Sequence, residues 1–147
     1  MYKNLFVPVD GGELSGRAMD GSLELAAQLG ARVTGFVVEP DLPLSVTTDD
    51  AATFAERVSS HQASNASHAR ALLEEFESRA AKAGVEFTGI SVTGYSIDVA
   101  IANEAARHGC DMIVIVTHGR GPLGELVFGS HTKKVISRTR LPVLVLH

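Results

Sequence analysis

Three things are scarce in this 147-residue sequence: cysteine, surplus positive charge and long uninterrupted apolar runs. Its one cysteine, Cys110, has no partner for an internal disulfide. It follows the expected end of a helix and reads as a half-buried bystander thiol rather than a nucleophile. With 13 Lys+Arg against 17 Asp+Glu, the formal net charge is −4, which gives no generic attraction to nucleic acid or to anionic membranes. No run approaches the roughly 18 apolar residues of a membrane span, and no basic segment precedes an apolar stretch as in a secretory leader. Neither nucleic acid nor membrane is therefore an expected partner, and the cytoplasm is the expected location.

What is present is the balance of one globular domain, 45% hydrophobic and 20% charged, expected to span residues 1–147. Short β-rich runs alternate with helical patterns. An apolar strand at about Leu5 to Val9 ends at Asp10-Gly11-Gly12, and Ala18, Ser22, Leu25, Ala26 and Leu29 then recur at helical spacing before Gly30. RVTGFVVEP is a second strand. The polar stretch DLPLSVTTDD reads as a loop into a long helix, about Ala52 to Ala83, with a stripe of Ala69, Leu72, Leu73, Phe76, Ala80 and Ala83 closed by Gly84. VEFTGISV is a third strand. Ser96 is expected to cap a third helix whose inner face holds Ile97, Ile101 and Ala105, ending at Gly109. MIVIV (112–116) is an unbroken apolar strand of the kind buried on both faces. A short helix from about Ser130 to Thr139 and the strand LPVLVL complete the pattern. No linker, repeat or low-complexity block interrupts it. The expected fold is α/β, a single doubly wound, five-stranded parallel sheet of Rossmann-like type with helices on both faces. Ligands of such sheets bind beyond the carboxyl ends of the strands at the switch point.

Asp10 stands at one carboxyl end and the stretch THGRGPLGELVFGS, residues 117 to 130, at another. Gly119, Gly121 and Gly124 spell G-x-G-x-x-G, but Pro122 lies inside the motif and no acidic residue follows Glu125, so the ribose carboxylate expected about 20 residues on is missing. Gly119 and Gly124 also frame a P-loop, but Glu125-Leu126 stands where Lys-Ser/Thr is required. A third spacing survives: Gly119, nine residues, then Gly129-Ser130 opening the last helix. Gly119 and Gly121 let backbone amides approach an anion, and Gly129, Ser130 and His131 present the unpaired N–H groups of a helix N-terminus. The Ser130 hydroxyl can donate to a phosphate oxygen or cap its own helix. Arg120 can add charge or stand as a solvated surface residue.

THGRGPLGELVFGSHTKKVI…LPVLVL resembles the signature of the universal stress protein family, whose nucleotide-binding members carry G-x-x-G, nine residues, then G-S/T. LFVPVDGGELSGRAM resembles the family's opening strand, Asp-Gly turn and Ser-x-x-Ala helix start, and VTGYSIDVAIANEAARHGCDMIVIV its third strand, third helix and fourth strand. The match covers most of the chain and is weakest from Asp41 to about Ser67. The resemblance implies a fold like that of the adenine nucleotide α-hydrolases, with ATP, ADP or AMP, with or without Mg, between the first and fourth strands. On this match Pro8, Val9 and Asp10 lie near the nucleoside and the Val38 backbone faces the adenine edge. Gly119, Arg120, Gly121, Gly129, Ser130, His131 and Thr132 surround the phosphates, largely through their main chain. One position departs from the motif: its first glycine, three residues before Gly119, is Val116, whose branched side chain either narrows the pocket or points into the core.

Of the six histidines, His61 and His68 share a helix face but lie two turns apart without a carboxylate or cysteine pattern, so surface residues are expected rather than a metal site. His118 can contact a ligand or brace the loop. Neither a G-x-S-x-G elbow nor a Cys/His signature of nucleophilic hydrolysis is present, and Glu125 reads as a solvated carboxylate. A terminal apolar strand at a sheet edge needs cover, and the resemblance implies a homodimer through it. The expected function is an adenine-nucleotide-binding stress-response module. A dimeric interaction module that has lost nucleotide binding, and a slow ATP hydrolase, are the alternatives.

Overall fold

The computed structural model describes residues 1–40, 50–94, 96–118 and 130–147. In chain order the elements are β1 (Asn4–Pro8), α1 (Ser15–Leu29), β2 (Arg32–Pro40), α2 (Ala51–Ala83), β3 (Phe87–Gly94), α3 (Ile97–Arg107), β4 (Met112–Val116), α4 (Ser130–Arg138) and β5 (Val143–Leu146). The strands form one parallel sheet in the order β3-β2-β1-β4-β5. The chain builds outward from β1 through β2 to β3, then crosses to β4 and β5 on the other side. The order therefore reverses between β1 and β4. The helices divide between the faces, α1 and α2 packing together on one and α3 and α4 on the other.

The alternation of a strand explains the two cores. Leu5, Val7, Val33, Val37 and Val114 face α1 and α2, where they meet Met19, Leu23, Leu72 and Phe76. Phe6, Phe36 and Ile113 face the other way, against Ile101, Ala105 and Val135 of α3 and α4. Gly35, on the first face, leaves room for the Phe76 and Phe87 rings, whose centroids are 4.8 Å apart. α2 begins where Asp50 Oδ1 accepts a hydrogen bond from the Thr53 backbone N–H at 2.7 Å, an N-cap that the sequence reading had assigned to the preceding loop. The apolar stripe of α2 buries Ala69, Leu72, Phe76 and Ala80, while Leu73 is half-buried and Ala83, its expected last member, is exposed.

β1 and β4 are tied at their amino ends by Asp111, whose carboxylate accepts from the backbone N–H groups of Lys3 and Asn4. The buried Asn4 side chain accepts from the Thr34 hydroxyl and donates to the His108 carbonyl, so its polar atoms are satisfied. Cys110 is buried rather than half-buried. Among the described residues no helix is long and apolar enough to cross a membrane. The DLPLSVTTD stretch (41–49) and the glycine loop (119–129) lie outside the described residues.

Candidate functional site

At the carboxyl ends of β1 and β4, where the strand order reverses, lies a cavity of about 240 Å³. β1 brings Pro8, with Val9 and Asp10 just beyond it. β2 contributes Phe36 and Val38 and β4 Ile115 and Val116. Leu14, Ser15 and Ala18 close it at the start of α1, Ile97 at the start of α3, and His131 and Thr132 in the first turn of α4. Phe36, Val38, Ile97, Ile115 and Val116 give it apolar walls, with polar groups confined to the Asp10–Ser15 turn and the start of α4. The cavity is open on one side, and a volume below the roughly 300–1,000 Å³ of a full small-molecule site has room for one ring system.

The turn after β1 is internally bonded. Asp10 Oδ1 accepts from the Gly12 N–H at 2.8 Å and from the Ser15 hydroxyl at 3.2 Å. Ser15 Oγ in turn accepts from the Gly11 N–H at 2.9 Å and the Asp10 N–H at 3.3 Å. A carboxylate can accept about four hydrogen bonds, so the exposed Asp10 retains capacity for hydroxyl donors. Gly11 has φ 80, a left-handed conformation that glycine adopts freely. Behind it, His68 of α2 places Nε2 3.3 Å from the Asp10 carbonyl oxygen.

β1 stops at Pro8, paired with Phe36, while β2 runs on to Pro40. The Val9 N–H still reaches the Phe36 carbonyl at 2.8 Å. By the alternation of a parallel ladder, Val38 turns its own N–H and C=O to the same side. It lies two residues past the last β1–β2 pair, on the edge of the cavity. Val116 packs against the core under α1 and also lines the cavity.

α3 and α4 are joined beneath the site. Asp98 is buried, and Arg138 Nε lies 2.6 Å from its Oδ2. The contact is an ion pair rather than a directed hydrogen bond, since Oδ2 has no hydrogen-bond partner. Burial pushes the Asp98 carboxyl up, but its own backbone N–H, the Ser96 hydroxyl and the Arg138 guanidinium together hold it below the ordinary carboxylate value. Ser96 is the N-cap residue of α3, as expected, but its hydroxyl donates to Asp98 Oδ1 at 3.1 Å and makes no cap bond to the helix backbone. Ile97, expected on the inner face of α3, is 40% exposed at the cavity rim, and Asp98 takes the buried position.

Of the residues singled out from sequence, Pro8, Val9, Asp10, Val38, Val116, His131 and Thr132 line this one cavity. Ser130 is exposed at the start of α4. His118 lies apart from the cavity lining, its Nδ1 3.4 Å from Glu13 Oε1 with both side chains exposed, a pairing of small energetic weight. Gly119, Arg120, Gly121 and Gly129, with Glu125, fall outside the described residues. Leu14, Ser15, Ala18, Phe36, Ile97 and Ile115 were missed as lining residues. Phe36 shares a strand face with Val38 two positions on, a period-2 signal that could have found it. Leu14 and Ile97 carry no such signal, because their place depends on how helices sit on the sheet. Among the described residues no group of three or more His, Cys, Asp or Glu could hold a metal ion.

The sequence matches the Universal stress protein family over residues 1–147. It is 28% identical over 150 residues to Universal stress protein YxiE of Bacillus subtilis (strain 168), covering 99% of each chain. Among solved structures, Universal stress protein UspA from Lactobacillus plantarum superposes with TM-score 0.79 at 21% identity, covering 99% of this chain and 98% of that one. The universal stress protein from Archaeoglobus fulgidus in complex with dAMP gives 0.62 at 21% identity, with 99% and 98% covered. A universal stress protein in complex with cAMP gives 0.68 at 22% identity, with 99% and 97% covered.

Proposed function

We propose an adenine-nucleotide-binding role on the premise that the chain belongs to the universal stress protein family. The observation that carries the reading is the cavity at the strand-order reversal, apolar-walled and edged by the Val38 backbone. An adenine ring fits such walls, and its Watson–Crick edge, a donor beside an acceptor, complements one backbone N–H and C=O. Asp10 accepts from the ribose hydroxyls. The phosphates lie over the first turn of α4, where Ser130, His131 and Thr132 carry N–H groups without intrahelical acceptors. On the family motif, Gly119 and Gly129 are the further candidates for main-chain phosphate contacts. Relatives of the same fold in complex with dAMP and with cAMP support an adenine nucleotide as the ligand class. ATP, ADP and AMP, with or without Mg, are the ligands this reading allows.

In this reading the protein is a cytoplasmic stress-response module whose shape or partner preference follows nucleotide occupancy. It pairs with a second copy through β5, the half-buried apolar strand at one sheet edge. Calorimetric titration of AMP, ATP, cAMP and GMP into the purified protein tests the binding. The expected result is saturable adenine-nucleotide binding, weakened roughly tenfold or more by Asp10→Ala and absent for GMP. Absence of heat with every adenine nucleotide, in a protein shown to be folded, overturns the reading in favour of an interaction module without a ligand.

A further inference from the structure

Among the described residues, the sheet edge opposite β5 lacks the usual protection of an exposed edge. β3 is outermost there. It is eight residues long and reads FTGISVTG, without a charge or a proline. Natural sheets commonly blunt such edges with lysine, proline or a bulge, because a free row of N–H and C=O groups is a template for another strand. β2 occupies one side of β3 throughout, from Val33↔Phe87 to Pro40↔Gly94. The Val33 N–H donates to the Glu86 carbonyl. Alternation along a parallel ladder then turns the peptide groups of Thr88, Ile90 and Val92 towards β2 and those of Phe87, Gly89, Ser91 and Thr93 outward. Among the described residues no strand pairs with that outer side.

The two faces beside this edge differ in chemistry. On the α2 side is a groove of about 410 Å³, floored by Phe87, Gly89 and Ser91, where among the described residues Glu39, Glu74 and Glu77 are set against one cation, Arg70. On the other side Ile90 and Val92 are half-buried against the core of α3 and α4. A strand laid along β3 would send alternate side chains to these two faces. One set meets carboxylates and the other an apolar row.

We propose that β3 is a docking edge for an extended peptide in which basic and apolar residues alternate, taken up by strand addition. The occupant's cations lie under α2 near Glu39, Glu74 and Glu77, and its apolar residues extend the row of Ile90 and Val92. A second copy of β3 brings no cation to that groove, so charge favours a basic peptide over self-pairing. The proposal stands apart from nucleotide binding, which uses the opposite side of β2.

The test is fluorescence anisotropy of a labelled octapeptide alternating lysine with valine and threonine, using the full chain. Two further peptides serve as comparisons, one with glutamate for lysine and one N-methylated at alternate backbone nitrogens. The lysine peptide is expected to bind, and both comparisons to bind roughly tenfold or more weakly. Ser91→Pro removes an outward N–H while sparing the β2 ladder, and Glu77→Lys reverses a groove charge. Each is expected to weaken binding by a similar factor. Equal binding of the lysine and glutamate peptides, no loss on N-methylation, or no binding at all overturns the proposal. So does self-association of the native chain, seen by sedimentation, that Ser91→Pro abolishes, since the edge then serves a second copy. If Ser91→Pro does not fold, the N-methylated peptide decides the question on the native protein.

Discussion

The imidazole of His68 occupies the space that a Cβ on Gly11 would need: a built Cβ lies 2.7 Å from its Cε1. The same ring sets Nε2 3.3 Å from the Asp10 carbonyl oxygen, so α2 supports the turn that carries Asp10 to the cavity. Gly11→Ala meets two penalties, the positive φ and the ring. We expect a loss of about 1–3 kcal/mol, read from the urea midpoint. His68→Ala added to Gly11→Ala relieves the ring contact but not the φ, so the double variant should recover part of the loss. Strictly additive losses would show that ring and glycine are not coupled.

Gly35 is a second site where a missing side chain is a packing requirement. A Cβ there lies 2.6 Å from Phe87 Cε2 and 2.8 Å from Phe76 Cδ1. The two rings already pack against each other, and Phe76 is fully buried. Gly35→Ala is expected to cost about 1–3 kcal/mol by overpacking. Phe87→Leu in the same background should return part of it. A neutral Gly35→Ala by thermal unfolding would mean that β3 shifts outward at little cost.

Asp98 makes stability depend on acid pH with a definite sign. Its folded carboxyl is held below the ordinary value, in part by Arg138. It therefore stabilises the fold above the unfolded value of about 3.9, and that contribution disappears as pH falls through the lower, folded one. Asp98→Asn should flatten the acid limb of a stability–pH curve. Arg138→Gln, which leaves the buried carboxylate without its counter-charge, should destabilise the protein at neutral pH and shift its acid unfolding upward. Acid limbs that coincide for native and Asp98→Asn proteins would remove Asp98 from the account.

The legible part of this protein is the part written in local periodicity and punctuation. RVTGFVVEP coincides with β2 and MIVIV with β4, because short apolar runs bounded by turns have few alternatives. Gly30 ends α1 with φ 62, as a left-handed C-cap should. The α3 boundary was legible, and so was most of its face, since Ile101 and Ala105 are buried and only Ile97 departs. Ile97 looks like core by hydrophobicity, yet Asp98 is inside because Arg138, forty residues on, supplies its counter-charge. The cavity shows the same division. Asp10 was legible from its place at a strand end and Val38 and Val116 only through the family resemblance, whereas Leu14 and Ile97 reach the cavity only through helix placement. His68 was set aside as a surface histidine, and its contact with Asp10 depends on how α2 lies across the sheet.

Cys110 is expected to be chemically silent in the folded chain. Burial pushes its thiol up, and the neighbouring Asp111 charge adds to that, against a lowering by the Thr34 hydroxyl and Arg32. A small thiolate fraction and a buried sulfur both slow disulfide exchange. An aromatic disulfide reagent at pH 8 should leave the native protein unmodified over the time in which the urea-unfolded chain reacts fully. Fast native reaction would place Cys110 in a segment that opens readily.

Val116 joins stability to the site. Its side chain packs against the core under α1 and lines the cavity, and its register partner in β5 is Leu146. Val116→Gly removes a half-buried branched side chain and loosens the strand, together a loss of about 1–3 kcal/mol. Because the valine is anchored in the core, the added space opens beside the ligand position rather than within it. AMP affinity should then stay within about threefold of the native value, roughly 0.7 kcal/mol. Paired urea unfolding and calorimetry on the two proteins check both numbers. Affinity rising by an order of magnitude while stability falls would show that the valine occupies ligand space, and that this chain keeps the family's cavity with a partial block at its inner wall.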